Sequence, residues 1–366
     1  MNPRTFSAIT SLVAPLMVAL LMVALLMVAG CGKVPLIPTD AVRAAQIEST
    51  HGIRSWSLSR KQENRILSLN PEHVTDHDVR SVLAGAPAPH IINIHGGLTI
   101  VIKRLVSFSK FLHGLGYPEQ ALRNPGNGDY TISCLEDAEM ITGFVAWHYE
   151  HEGMQPMIIG HSQGCFQAVK TLDLLAGQTA RELTVWSPLT FKPEERTQIT
   201  DPLTKKLCPV VGLKVSYVAA LGGGGLTRLL PNRWDMMFSL RSVPDTAEEF
   251  TGFHIGLDML GGDFLGYGSA NHYHATGHAK VRNVKLPTSG FLAHGRTPDT
   301  ERLLSNPRAM QWIRDYTPGA TPVAPANLGE VEGIEFGADV WTSVKRHWVI
   351  ELQRLIQARR AQGHGH

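Results

Sequence analysis

A serine between two glycines is the residue in this chain best suited to act as a nucleophile. The segment Gly160-His161-Ser162-Gln163-Gly164 follows a short apolar run, Met157 to Ile159, and precedes a stretch with helical periodicity that begins at Cys165. A tight turn between a buried strand and a helix holds such a serine in a strained conformation, with its hydroxyl above the edge of the sheet. The glycines let the two backbones pass closely, and the helix N-terminus stabilises negative charge. We therefore predict that Ser162 attacks an acyl carbonyl.

A second glycine-rich turn, His95-Gly96-Gly97, follows the apolar run His90 to Ile94. With these two motifs and its order of strands and helices, the chain resembles the α/β-hydrolase superfamily, in its lipase and esterase branches, over roughly residues 90–316. The resemblance implies an oxyanion hole formed by the backbone N–H of Gln163 and that of Gly97 or Leu98, because such donors stabilise a tetrahedral intermediate. The histidine of the turn is expected to support this loop.

A serine hydroxyl needs a general base. The resemblance implies that this base follows the last strand of the sheet. His294 follows the last predicted strand, Val281 to Leu286, and is therefore the predicted base. His272, His274 and His278 precede this strand. No carboxylate or cysteine at a clear spacing completes a metal site with them, so we expect no metal and no cofactor.

The acid that orients the base is expected after the preceding strand. If that strand is Phe250 to Leu260, the turn Gly261-Gly262-Asp263 presents Asp263 at the sheet edge, and Asp263 is the predicted acid. Asp258 lies in the same segment. Asp245 would serve if the strand ended earlier, so both remain alternatives.

Strands alternate with helices along most of the chain. This predicts an α/β fold in which a mostly parallel sheet carries helices on both faces, as in the α/β-hydrolase fold. The alternation weakens between Leu189 and Glu249, which we interpret as a cap inserted over the sheet. Within it, the apolar stretch Val210 to Leu221 hints at a lipophilic substrate. The expected organisation is a signal peptide (1–30), a tether (31–50), a core in two parts (51–188 and 250–320) around the cap (189–249), and a C-terminal helical extension with a tail (321–366).

The N-terminus resembles the signal peptide of a bacterial lipoprotein. An apolar run from Ile9 to Ala29 ends in Val28-Ala29-Gly30-Cys31, where small residues precede a cysteine that would be lipidated after cleavage. Gly32, rather than an aspartate, follows the cysteine, which implies the outer membrane. We expect a lipid-anchored protein of the cell envelope.

Composition fits a globular protein, with 43% hydrophobic and 18% charged residues among 366. The net charge of +2 and the lack of a basic block argue against a nucleic-acid partner. In an oxidising compartment, at most one pair among Cys134, Cys165 and Cys208 can form a disulfide. The sequence therefore predicts a tethered serine hydrolase acting on small acyl esters. An acyltransferase, a thioesterase and a non-catalytic envelope lipoprotein are the alternatives.

Replacing Cys31 by Ser should prevent lipidation and cleavage by the lipoprotein route, because the thiol is the acylation site. Metabolic labelling with a palmitate analogue measures this, and Cys208→Ser serves as a control that should label like the wild type. Equal labelling of the wild type and Cys31→Ser would contradict the assignment.

Overall fold

A computed structural model describes residues 58–97, 99–178, 182–223, 236, 239–258, 260–261, 272–319 and 332–363. The strands in these ranges are β1 (Ile91–His95), β2 (Ile132–Ser133), β3 (Met157–His161), β4 (Trp186–Ser187), β5 (Lys192–Pro193), β6 (Gln198–Thr200), β7 (Leu207–Pro209), β8 (Val215–Leu221), β9 (Ser242–Val243), β10 (Ala247–Gly256), β11 (His274–Ala275) and β12 (Lys280–Ser289). The α-helices are α1 (Arg60–Leu67), α2 (Asp76–Asp78), α3 (Thr99–Gly114), α4 (Ala138–Glu152), α5 (Gly164–Leu175), α6 (Phe291–Arg296), α7 (Pro307–Arg314) and α8 (Ile334–Ala361).

Six parallel strands form the main sheet, in the order β12-β10-β8-β3-β1-β2. The chain leaves β1 for β2 on one side and then returns to place β3 on the other, so the direction of winding reverses at β1. In open parallel sheets, ligands bind in the crevice outside the carboxyl ends of the strands at this kind of reversal. The predicted α/β class with a mostly parallel sheet is confirmed.

Both faces of the sheet are buried, and side chains alternate between them along each strand. In β8, Tyr217 and Ala219 belong to one hydrophobic cluster, whereas Val218 and Ala220 belong to another. The first cluster includes residues of α3, α7 and α8, and the second includes residues of α4 and α5. Helices therefore cover the sheet on both sides, as a parallel sheet with hydrophobic strands requires.

The apolar stretch that we interpreted as part of a cap lies in the middle of the sheet. Residues 215–221 form β8, which pairs with β3 on one side and β10 on the other, and all seven residues are buried. The interpretation of residues 189–249 as a single insertion is therefore wrong for this segment. Its hydrophobicity is explained by burial on both faces, so it no longer indicates a lipophilic substrate.

Two other segments differ from expectation. The sequence predicts a further strand over Glu182 to Trp186. Only Trp186 of this segment belongs to a strand, β4, which pairs with β5 in a separate two-stranded antiparallel ladder. The C-terminal helix α8, expected as an extension, is part of the core, because Trp341 and Trp348 are fully buried.

Buried polar contacts join α8 to the sheet. Arg282 on β12 donates to Asp339 on α8 at 2.7 Å. Glu249 on β10 accepts from Ser343 at 3.0 Å and from His347 at 3.1 Å. Buried charges are tolerated when they are paired in this way, and removing one partner is costly.

No helix in the ranges given above has the length and apolar character needed to cross a bilayer. The apolar run that ends at Cys31 lies outside those ranges. Cys134, Cys165 and Cys208 are all free thiols, so none of the three possible disulfides is present.

Candidate active site

Ser162 lies in a tight turn between β3 and α5, with its backbone in the left-handed region. Its φ is 55°, a conformation that residues with a side chain rarely adopt. The N–H of Ser162 donates to the carbonyl of Leu221 at 2.9 Å, and its carbonyl accepts from Cys165 at 3.1 Å. These bonds hold the turn against the neighbouring strand and the first turn of the helix. The strand-turn-helix context predicted for Ser162 is confirmed.

The glycines around Ser162 are required by space. A Cβ on Gly160 would lie 2.8 Å from the carbonyl oxygen of Gly164, and one on Gly164 would lie 2.1 Å from that of Ile94. Real Cβ atoms do not approach backbone so closely, so any other residue would push β3, α5 and β1 apart.

The loop after β1 contacts the serine from the other side. A Cβ on Gly96 would lie 2.7 Å from Cβ of Ser162 and 3.2 Å from its hydroxyl oxygen. His95 is buried, and its Nδ1–H donates to the carbonyl of Gly96 at 2.8 Å. Burial lowers the pKa of His95, which keeps the ring neutral. The expected support of this loop by His95 is confirmed.

Two of the predicted oxyanion donors belong to the segments around Ser162. Gln163 follows Ser162 directly in the chain, and Gly97 follows Gly96. Gln163 immediately precedes α5, so its backbone N–H is at the positive end of that helix. The Gln163 side chain is fixed by the Cys134 thiol, which lies 3.4 Å from its Oε1. Leu98 lies outside the described residues.

His294 and Asp258 form a buried pair at the same edge of the sheet. His294 is in α6, directly after β12, and Asp258 follows β10. The His294 Nδ1 donates to Oδ2 of Asp258 at 2.6 Å, and Oδ1 of Asp258 accepts the N–H of Gly261 at 2.8 Å. Both side chains are 2% exposed. An imidazole held in this way has its Nδ1 fixed as the donor, which leaves Nε2 as the basic nitrogen.

The geometry favours Asp258 as the acid over the predicted Asp263. Asp263 lies outside the described residues, and the Nδ1 of His294 is already paired with Asp258. Asp245 is excluded because it lies before β10, at the opposite edge of the sheet. There its carboxylate accepts the backbone N–H groups of His278 and of Ala279, the latter at 3.0 Å. Our placement of the acid failed because β10 ends at Gly256, four residues before the predicted end of the strand.

Gly222, the residue after β8, separates the serine from the histidine–aspartate pair. Its φ is +60°, and a Cβ on it would lie 3.0 Å from Nδ1 of His294 and 3.3 Å from Oδ2 of Asp258. The preceding residue, Leu221, is the one that accepts the N–H of Ser162. Ser162 and His294 therefore lie on either side of the same loop. Among the hydrogen bonds of the described residues, none joins the two side chains.

His161 joins the two halves of the site and was missed by sequence reasoning. Its Nε2 donates to the backbone carbonyl of His294 at 2.8 Å, and the two rings are 4.8 Å apart. Burial, and then the neighbouring His294, lower the pKa of His161 well below its usual value, so the ring is a neutral donor. Its position directly before Ser162 was the available signal, but sequence gives no means of knowing which element its ring contacts.

The nearby thiol of Cys165 does not compete as a nucleophile. Burial raises its pKa to about 12, and it donates to the carbonyl of Gly160 at 3.2 Å. A thiol is reactive only as thiolate. Of the other histidines weighed at the sequence level, His274 contacts Ser242, with its Nε2 3.3 Å from the hydroxyl oxygen.

Within the part of the chain that the structure describes, one group of side chains has the composition and proximity of a metal site. It consists of His90, His148 and Glu152 and lies away from Ser162. Sequence reasoning missed it, although the spacing of His148 and Glu152 on one helix was a signal.

Comparisons with known proteins identify no relative. Scans against family models, curated proteins and solved structures each gave no match.

We predict that Asp258→Asn loses about 10⁴-fold in ester turnover while remaining folded, because an amide would favour the wrong tautomer of His294. The measurement is turnover of each Asp→Asn variant, with circular dichroism to check folding. Asp245→Asn is the matched control: it weakens a turn far from the serine and should keep its turnover. An active Asp258→Asn beside an inactive Asp263→Asn would contradict the assignment.

Proposed function

We propose that the protein is a serine hydrolase of the α/β-hydrolase superfamily that cleaves carboxylic esters through an acyl-enzyme. The proposal is supported chiefly by one observation: the strained turn at Ser162 and the buried His294–Asp258 pair meet at the carboxyl edge of one parallel sheet. Holding a serine in this strained conformation costs free energy, of order 1–3 kcal/mol, and such strain concentrates at functional sites.

In the proposed reaction, the hydroxyl of Ser162 attacks the ester carbonyl while Nε2 of His294 takes its proton. The imidazolium then delivers that proton to the departing alcohol, and Asp258 stabilises the positive ring through the Nδ1–H bond. Water, activated by the same nitrogen, releases the acyl group. Catalytic hydrogen bonds commonly tighten only in the substrate complex, so we expect the Ser162–His294 bond to form when the ester binds.

The oxyanion of the intermediate would be held by the backbone N–H of Gln163, together with that of Gly97 or Leu98. These positions are favoured because Gly96 lies against the hydroxyl of Ser162 and α5 begins just after Gln163. Donors fixed in a water-poor site are worth roughly 10²–10³-fold each.

The proposed catalytic groups are buried, and this burial limits how a substrate can reach them. Ser162 is 6% exposed and His294 is 1% exposed. We propose that a cap built from parts of residues 189–249 other than β8 controls access to them. Small acyl esters are the proposed substrates. Turnover of a panel of esters of increasing chain length would measure which chain length the protein prefers.

The place of action that we propose is the bacterial cell envelope. The support is the sequence around Cys31, which would carry the lipid and tether the folded domain to the outer membrane. Residues 31–50 would then be the tether between the anchor and the folded domain.

Ser162→Ala should lower the hydrolysis of p-nitrophenyl esters by roughly 10³-fold or more without unfolding the protein, because only binding and the oxyanion hole remain. Ser187→Ala, at another buried serine, is the matched control and should stay near the wild-type rate. Near-normal turnover by folded Ser162→Ala would refute the proposal. Wild-type protein that turns over only when an acceptor alcohol replaces water would instead indicate an acyltransferase.

A further inference from the structure

Two histidines and a glutamate converge at the amino edge of the sheet, opposite the catalytic edge. His90 directly precedes β1, whereas His148 and Glu152 are one turn apart on the last part of α4. One ligand atom from each lies within 4.8 Å of the others. Because six residue steps of about 3.3 Å each separate His90 from Gly96, this cluster is roughly 20 Å from the turn at Gly96.

The three side chains are packed against one another. The imidazoles of His90 and His148 are stacked, with ring centroids 3.7 Å apart. Oε1 of Glu152 lies 2.7 Å from Nδ1 of His148 and 3.7 Å from Nδ1 of His90. A single carboxylate oxygen thus faces both ring nitrogens.

Hydrogen bonding leaves this cluster incompletely satisfied. Oε2 of Glu152 is buried and has no hydrogen-bond partner. A buried polar atom without a hydrogen-bond partner destabilises the folded state, so the unpaired Oε2 of Glu152 needs an explanation.

A small cavity adjoins the two histidines. Its volume is about 10 Å³, close to the space of one water molecule, and His90, Asn93 and His148 are among its lining residues. Oδ1 of Asn93 is also buried without a partner. The cavity could therefore hold a water next to the two histidines, while Glu152 is not among its lining residues.

We propose that His90, His148 and Glu152 bind one Zn²⁺ ion, with a water in the adjoining cavity as the fourth ligand. Neutral imidazoles and a carboxylate are a donor set that zinc takes, whereas Ca²⁺ and Mg²⁺ require oxygen ligands. The 2.7 Å contact between His148 and Glu152 is shorter than the separation of about 3.3 Å between two ligands of a tetrahedral ion. Zinc would replace this hydrogen bond, and at least one of the two stacked imidazoles would rotate so that the ion lies in the plane of each ring.

The site lies at the opposite edge of the sheet from Ser162, so the ion would act on the fold and not in the proposed ester cleavage. His90 also accepts the N–H of Met157 through its carbonyl at 2.8 Å, so it anchors β1 to β3. An ion shared with His148 and Glu152 would tie the start of these strands to the end of α4, and it would stabilise the folded state by mass action.

The test uses the full-length protein in detergent, with His364→Ala and His366→Ala in every sample to remove zinc binding by the C-terminal histidines. Zn²⁺ alone is titrated in competition with a chromophoric chelator, and Co²⁺ is used as a spectroscopic probe. We expect one tight equivalent of zinc, visible bands of tetrahedral Co²⁺, and a zinc-dependent rise in the midpoint of thermal unfolding.

Glu152→Gln keeps the size of the side chain and should weaken zinc binding by roughly 100-fold or more, since even groups outside the ligand shell are worth about 10- to 100-fold. His148→Gln is the second variant. His347→Gln is the matched control, because His347 pairs with Glu249 in a buried site that has no second imidazole, and it should bind zinc like the wild type. Absence of a tight equivalent in the wild type would overturn the proposal. So would zinc affinities of Glu152→Gln and His148→Gln that equal the affinity of the wild type. If both variants fail to fold, the Co²⁺ spectrum of the wild type decides it, and bands of octahedral Co²⁺ would count against it.

Discussion

The close approach of three backbone segments around Ser162 is the constraint on which the rest of the site depends. β1, β3 and the start of α5 meet so tightly that Gly96, Gly160 and Gly164 leave no room for a Cβ. Within that contact Ser162 adopts a left-handed backbone, which costs free energy and persists only because the surrounding structure fixes it. The fixing groups are ordinary hydrogen bonds from β8 and α5, made possible by a sheet that is buried on both faces and by helices packed on each side.

The order of the strands explains why the other catalytic candidates arrive at the same place. In a parallel sheet every strand ends at the same edge, so segments far apart in sequence are brought together there. Asp258 follows β10, and His294 follows β12 at the outside of the sheet. They reach Ser162 across the loop at Gly222, whose lack of a side chain leaves space for the imidazole. His161 completes the arrangement by holding the backbone of His294, so the segment before Ser162 positions His294 as well.

Much of this arrangement could be anticipated from sequence, and the misses have physical reasons. The turn at Ser162, the loop at His95 and the position of His294 follow from local patterns: glycines at close approaches and a residue after a strand. Asp258 was placed second because its neighbour Asp263 follows a glycine pair, and local sequence does not determine where β10 ends. β8 was mistaken for cap because proline and glycine surround a short apolar run, and only pairing with β3 and β10 reveals a central strand. The cluster at Glu152 unites residues about 60 positions apart, which no local pattern predicts.

The most direct measurement of the central claim is covalent labelling of the wild-type protein with a fluorophosphonate, followed by digestion and mass spectrometry of the peptides. Only a serine activated by a neighbouring base reacts readily with this reagent, so the chemistry reports on the pairing of Ser162 with His294 without any assumption about the natural ester. We predict one adduct per chain, on the hydroxyl of Ser162, and we predict that Asp258→Asn carries no adduct. A folded protein that takes up no label, or that carries it on a different residue, would contradict the account.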